Sequence, residues 1–218
     1  MVLDHLEFGS LLSYCPRGGT SGEIGRSRQI MISLKNDSFV EDPPIPMSSW
    51  VSRTIELRRS ELPFNSLFQS NAVLVPLPRS SLLQPDSLWV PDRIAQALLA
   101  RGFGSKLLRC ISRSRAVRKS ASSPAEERPS PSEHYETMTV QGSIEAPSEI
   151  VLVDDIVTRG HTMLGAANKL LEVFPTTHIR AFAAMRTVSN WRDFLRIYDP
   201  QIGSIEYRED RDDCVRRP

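Results

Sequence analysis

Cysteine is scarce, long apolar runs are missing, and neither sign of charge prevails. The three cysteines, Cys15, Cys110 and Cys214, lie far apart and none belongs to a CxxC pair. That spacing argues against a structural zinc site or a disulfide framework and favours ordinary thiols of a reducing compartment. No run of about 18 apolar residues occurs, so no transmembrane helix is expected. Asp4 and Glu7 stand where a secretory signal would carry basic residues ahead of an apolar stretch, so no such signal is expected either. With 27 Lys+Arg against 26 Asp+Glu, global charge points to neither nucleic acid nor membrane as a partner. These absences set the expectation of a cytoplasmic chain with no membrane partner.

What is present is a chain of 218 residues, long enough for one sizeable core. Residues 1–65 show no clear pattern and are read as an N-terminal appendage. Pro16 to Gly25 is rich in Gly, Ser and Thr and reads as a loop, Arg26 to Lys35 fits a short helix or a strand, and the prolines of Glu41 to Met47 predict irregular chain. Asn71 to Leu77 reads as a buried strand ended by Pro76 and Pro78. A helix is expected from Pro91 to Ala100, closed by Gly102. From Leu107 to Pro131, basic residues alternate with serines and prolines follow, the pattern of a mobile loop or loosely held hairpin. Glu149 to Val153 is a second buried strand, Thr162 to Phe174 an amphipathic helix, and Ile179 to Met185 a third strand. Two strands around one helix form a βαβ unit, so the expected fold is α/β with a mostly parallel central sheet flanked by helices over residues 66–205. Residues 206–218 are charged throughout and read as a solvated tail.

The informative stretch is Val151-Leu152-Val153-Asp154-Asp155-Ile156-Val157-Thr158-Arg159-Gly160-His161-Thr162. A buried strand delivers two carboxylates at its C-terminal end, where ligands of open α/β sheets bind. The chain then turns into a helix N-terminus, whose unpaired N–H groups and dipole favour an anion. Gly160 permits a close backbone approach, and Thr158 and Thr162 add hydroxyl donors. Asp154 and Asp155 suit sugar hydroxyls, or a Mg²⁺ ion bridging to a pyrophosphate. A ligand with a phosphate at one end and a diol beside it fits both halves. The plainer reading of the acidic pair is a polar strand end capping the next helix.

This stretch resembles the PRPP-binding signature of type I phosphoribosyltransferases: apolar residues through Val153, two acids, two apolar residues, then Thr, Arg, Gly, any residue and Thr. The resemblance implies that Asp154 and Asp155 bind the ribose hydroxyls, directly or through water and metal, and that Thr158, Arg159, Gly160, His161 and Thr162 hold the 5-phosphate. Val73-Leu74-Val75-Pro76-Leu77-Pro78-Arg79 resembles the first core strand and pyrophosphate loop of the competence protein F group within that family, which makes Pro78 and Arg79 the pyrophosphate candidates. Weaker similarity surrounds it, at Tyr14, Leu34-Lys35 and Arg101-Gly102-Phe103. Arg113 to Arg128 falls where the family's flexible catalytic loop lies, so Arg113, Arg115, Arg118 and Lys119 become candidates to close over the pyrophosphate. The resemblance covers about residues 70 to 188. The chain departs from the group in lacking its cysteine-rich zinc finger, and the end after Met185 offers no base-binding hood.

The expected activity is therefore Mg²⁺-dependent transfer of a 5-phosphoribosyl group from PRPP to an unidentified acceptor, with pyrophosphate released and no catalytic residue assigned. The rival is a protein of the same fold that senses PRPP or a nucleotide without transferring it, as in a defence or toxin–antitoxin system, with nucleic acid or a protein as output partner. Few aromatics interleave the basic residues, which weighs against nucleic acid. A homo-oligomer is compatible with either reading. His134 and Tyr135 sit in a loop and could face a site, with a surface role the plainer reading, and Trp50, Trp89 and Trp191 read as packing residues.

Overall fold

Alternation along residues 150–153 decides how the centre is built. Ile150 and Leu152 enter one apolar cluster and Val151 and Val153 another, so this strand is covered on both faces. The computed structural model describes residues 2–19, 22–82, 84, 86–118, 129–142 and 146–218. Its elements in chain order are β1 (His5–Tyr14), α1 (Gly22–Lys35), β2 (Phe39–Val40), β3 (Ile45–Pro46), α2 (Met47–Leu57), β4 (Val73–Pro76), α3 (Val90–Leu99) and β5 (Lys106–Leu107). There follow β6 (Ile111–Arg113), α4 (Pro131–Glu136), β7 (Met138–Val140), β8 (Glu149–Val157), α5 (His161–Val173), β9 (His178–Thr187), β10 (Tyr198–Arg208) and β11 (Asp213–Arg217).

The described residues form a seven-stranded sheet of order β11-β10-β1-β9-β8-β4-β5. The run from β1 to β5 is parallel, and β10 and β11 add an antiparallel edge. The fold is thus α/β with a mostly parallel sheet. On one face Leu34 of α1, Val51 and Ile55 of α2, and Ile94 and Leu98 of α3 pack together; on the other, Met163, Leu164, Ala167 and Leu170 of α5 do. Pro91 sits in the first turn of α3, where its missing N–H costs nothing. Among the described residues, no helix is long and apolar enough to cross a membrane.

The two ends of the chain correct the sequence reading. Residues 1–65 are not an appendage. β1 lies inside the sheet, with Phe8 opposite Ala181 of β9 on one side and Gly203 of β10 on the other. Its register with β10 shifts between Ser10 and Leu12, so Phe8 joins one core cluster and Leu12 the other, which blurs the period of two. Gly9 is required because a Cβ there would come within 2.6 Å of the Phe64 Cβ. Removing residues 1–15 is therefore expected to abolish cooperative unfolding, since β9 and β10 would lose their common neighbour. Circular dichroism during urea denaturation checks this, and an intact transition in the shortened chain would return the segment to the status of an appendage.

Residues 206–218 are likewise not a solvated tail. They finish β10 and supply β11, with Cys214 buried and Glu206 paired to Arg217 at 3.1 Å. A charged strand at a sheet edge keeps its polar side chains in water while its backbone pairs, so charge alone misreads it. Trp191, expected to pack, is half exposed. The segment from Leu107 to Pro131 contains β6, which pairs antiparallel with β7, and Arg109 is tied to Asp92 of α3 at 2.6 Å.

Candidate functional site

β8 runs on past Val153 as far as Val157 and carries the acidic pair within it. Both carboxylates turn back onto the chain: the Asp155 N–H donates to Asp154 Oδ1 at 2.9 Å, and the Ile156 N–H to Asp155 Oδ1 at 2.8 Å. Lys35, at the end of α1, brings its ammonium within 3.6 Å of Asp155 Oδ2. Burial and the adjacent carboxyl of Asp155 push the Asp154 pKa well above the ordinary aspartate range, with Lys35 acting the other way. The pair therefore sits ready to gain from a sugar hydroxyl or a cation that relieves its crowding.

Beyond Val157 the chain rises through Thr158 and Arg159, reverses at Gly160 with φ of 93°, and enters α5. Asp154 and residues 156–163 line one hollow of about 30 Å³. That is room for one or two water-sized groups, the scale of an anion's leading edge rather than of a whole sugar phosphate. The first-turn N–H groups of α5 lack helical partners and are aimed at the space ahead of it. The structure thus brings Asp154 and the 158–162 turn together.

Side chains from β10 and β11 brace this turn. Arg216 of β11 donates from Nε to the Thr158 carbonyl at 2.6 Å. Asp213 accepts from Arg159 Nη1 at 3.1 Å and faces His161 Nε2 at 2.7 Å. Burial would raise the Asp213 pKa, but the bonds from His161 and the Cys214 N–H, with Arg159 beside it, hold it below the usual carboxylate range. His161 Nδ1 faces the Pro129 carbonyl at 2.8 Å, so both ring nitrogens are used away from the hollow and the residue serves as a brace. Gly160 also has a structural reason. A Cβ there would lie 2.5 Å from Ile205 Cδ1 of β10, so its side-chain direction faces the sheet edge rather than a ligand.

The Pro78–Arg79 turn leaves β4 one strand away, where the Leu77 N–H donates to the Val153 carbonyl at 2.9 Å. Pro78 and Arg79 do not line the hollow. Arg79 Nη1 donates to its own turn at the Leu88 carbonyl, 2.9 Å away. Of the basic loop candidates, Arg113 is misassigned by the sequence reading. It is only 8% exposed on β6, and donates to the Arg79 carbonyl at 2.8 Å, to Thr137 Oγ1 at 2.7 Å and to His134 Nδ1 at 2.7 Å. Burial lowers its pKa to about 10, with Asp154 and Glu133 acting against the fall. Arg115 and Arg118 are exposed on a stretch pinned by the Val117 N–H to the Ser80 carbonyl at 2.8 Å, so this part of the expected lid is tethered beside Arg79. Lys119 lies outside the described residues.

The sequence reading missed Lys35, Asp213 and Arg216 as members of the site's surroundings, and it placed His134 in a loop, with a surface role the plainer of two readings. His134 is 2% exposed in α4 rather than on a surface loop. A signal for α4 existed: Ser130 caps it by accepting from the Glu133 N–H at 3.2 Å, with Pro131 in its first turn. The Ser-Pro-Ser-Glu sequence carries that pattern.

Among the described residues, no group of three or more His, Cys, Asp or Glu side chains converges as a metal cage. Asp154 and Asp155 are two adjacent carboxylates, the groups of this site that could hold a hydrated Mg²⁺ ion. No family model matches the chain, and no curated protein matches it.

Proposed function

We propose that the chain binds the 5-phosphoribosyl moiety of PRPP and transfers it, with Mg²⁺, to an acceptor yet to be identified, as a type I phosphoribosyltransferase of the competence protein F kind would. The observation that carries this reading is a hollow that joins a helix N-terminus entered through a left-handed glycine to Asp154 of the acidic pair in β8. An anion is drawn to the N–H groups of the α5 turn and repelled by the carboxylates beside it. A ligand with phosphate and hydroxyls in fixed separation satisfies both, and a bare phosphate does not.

In the reaction, a bond from the acceptor to C1 of the ribose forms as the C1–oxygen bond to pyrophosphate breaks, and the electron pair leaves with the pyrophosphate. When bound, Mg²⁺ supplies positive charge to the pyrophosphate oxygens. Asp154 and Asp155 hold the ribose hydroxyls, the 158–162 turn anchors the phosphate, and Arg79, with Arg115 on the stretch tethered beside it, serves the departing pyrophosphate. These groups position and stabilise charge, and no covalent enzyme intermediate is needed.

The sensing alternative draws support from Arg113, whose three internal hydrogen bonds remove it from the set of mobile cations available to a closing lid. Pyrophosphate release from PRPP and Mg²⁺, assayed with a panel of nucleobases and amines, tests the transferase reading. Release with one acceptor supports transfer. Saturable PRPP binding with no release from any acceptor favours the sensor, and no binding of PRPP or ribose 5-phosphate removes both.

A further inference from the structure

α4 approaches α5 closely because Gly165 has no side chain. A Cβ there would lie 2.8 Å from the Pro131 carbonyl oxygen and 2.9 Å from His134 Cβ. This contact sets the His134 ring over the first turn of α5, between Arg113 and Thr162. Its Nδ1 is 2.7 Å from Arg113 Nη2, and its Nε2 is 3.3 Å from Thr162 Oγ1.

The chemistry of the three groups gives the chain of bonds a direction. A guanidinium has donors only, so Nδ1 must accept, and the ring hydrogen then resides on Nε2. Arg113 cannot rotate away, because Thr137 Oγ1 and the Arg79 carbonyl hold its other nitrogens. Burial first, then the charge of Arg113 and the neighbouring His161, lower the His134 pKa to about 3, so the ring is neutral under ordinary conditions. The Nε2–H therefore donates to Thr162 Oγ1. With one lone pair engaged by the ring, the hydroxyl's one hydrogen turns away from His134 and is given elsewhere. Thr162 is half-buried and lines the hollow.

We infer that His134 is a positioning residue, which holds the Thr162 hydroxyl so that its proton points to a phosphomonoester bound at the α5 turn. The inference rests on the function proposed above and adds to it a residue that need not touch the ligand. It also gives buried Arg113 a role: by fixing the histidine tautomer, it orients a hydroxyl on the far side of the ring.

Two amides separate the ring's functions. Asparagine can present an oxygen where Nδ1 lies, and so keep Arg113 paired, but is too short to reach Thr162. Glutamine can place an N–H near the position of Nε2. Ribose 5-phosphate binding, measured by isothermal titration calorimetry on the full chain, is expected to weaken about tenfold in His134→Asn, the scale of one hydrogen bond to a charged group. It should stay close to wild type in His134→Gln. Thr162→Val should also weaken binding about tenfold, and adding His134→Asn to it should weaken binding no further, because the histidine acts through that hydroxyl. A wild-type affinity in His134→Asn, losses that multiply in the double variant, a His134→Gln no better than His134→Asn, or a His134→Asn chain that does not fold would each overturn the inference alone. Wild-type protein that does not bind ribose 5-phosphate overturns the proposed function and the inference with it.

Discussion

Asp154→Asn is expected to raise the melting temperature of the ligand-free chain at neutral pH and to weaken PRPP binding in Mg²⁺ by about 10- to 100-fold, the range for one or two hydrogen bonds from charged groups. The two effects share a cause. Burial and the adjacent Asp155 raise the folded-state pKa of Asp154 above its ordinary value, 3.8. The folded chain then binds a proton more tightly than the unfolded chain, so stability is fully present below 3.8 and is lost as pH rises through the raised folded value. Asparagine never acquires that charge, so the variant's advantage in melting temperature should be absent near pH 3.5 and grow toward pH 8. Binding moves the opposite way, because the amide replaces one of the two acceptor oxygens with an NH2 donor and carries no charge to hold a cation. Thermal melts across pH test the first half and calorimetry the second. A melting-temperature difference that does not vary with pH would refute the crowded-carboxylate account. A folded variant with undiminished PRPP affinity would remove Asp154 from the site.

The second large effect is expected at Gly160, and it falls on folding before binding. Gly160→Ala places a Cβ at a φ of 93° and within 2.5 Å of Ile205. Backbone strain and overpacking together should cost about 2 to 4 kcal/mol. In an Ile205→Ala background the clash is relieved and only the strain remains, so the same substitution should cost about 1 to 2 kcal/mol. Urea denaturation of the four chains measures both values. Equal costs in the two backgrounds would show that β10 does not press on the turn. If the prediction holds, weakened ligand binding in a Gly160 variant is no measure of phosphate contact, and Thr162 is the better probe of the cradle.

The βαβ unit around β8, α5 and β9 was legible because local rules agree there. Ile150 to Val153 is a continuous apolar run, Met163, Leu164, Ala167 and Leu170 recur at helical spacing, and Gly160 stands where the chain must reverse. The same holds for β4 and α3, which Pro76, Pro91 and Gly102 delimit. β1 was not legible. Its residues include Glu7, Gly9, Ser10 and Ser13, its alternation is broken by the shift at Ser10 and Leu12, and both its partners lie far off in sequence. Composition marked Arg113 and Arg115 alike as loop cations, whereas pairing of β6 with β7 buries Arg113 and leaves Arg115 exposed.

The sequence by itself determined the strands and helices of the parallel core, the adjacent carboxylates and the turn into α5, because each element is set by residues within about a dozen positions of one another. The tertiary structure decided what surrounds them. Lys35 from α1, His134 from α4 and Asp213 and Arg216 from β11 converge on β8 and its turn from distant parts of the chain. No local periodicity encodes such a meeting. It follows from sheet order, which places β1 between β9 and β10, and from one missing side chain at Gly165, which lets α4 settle on α5.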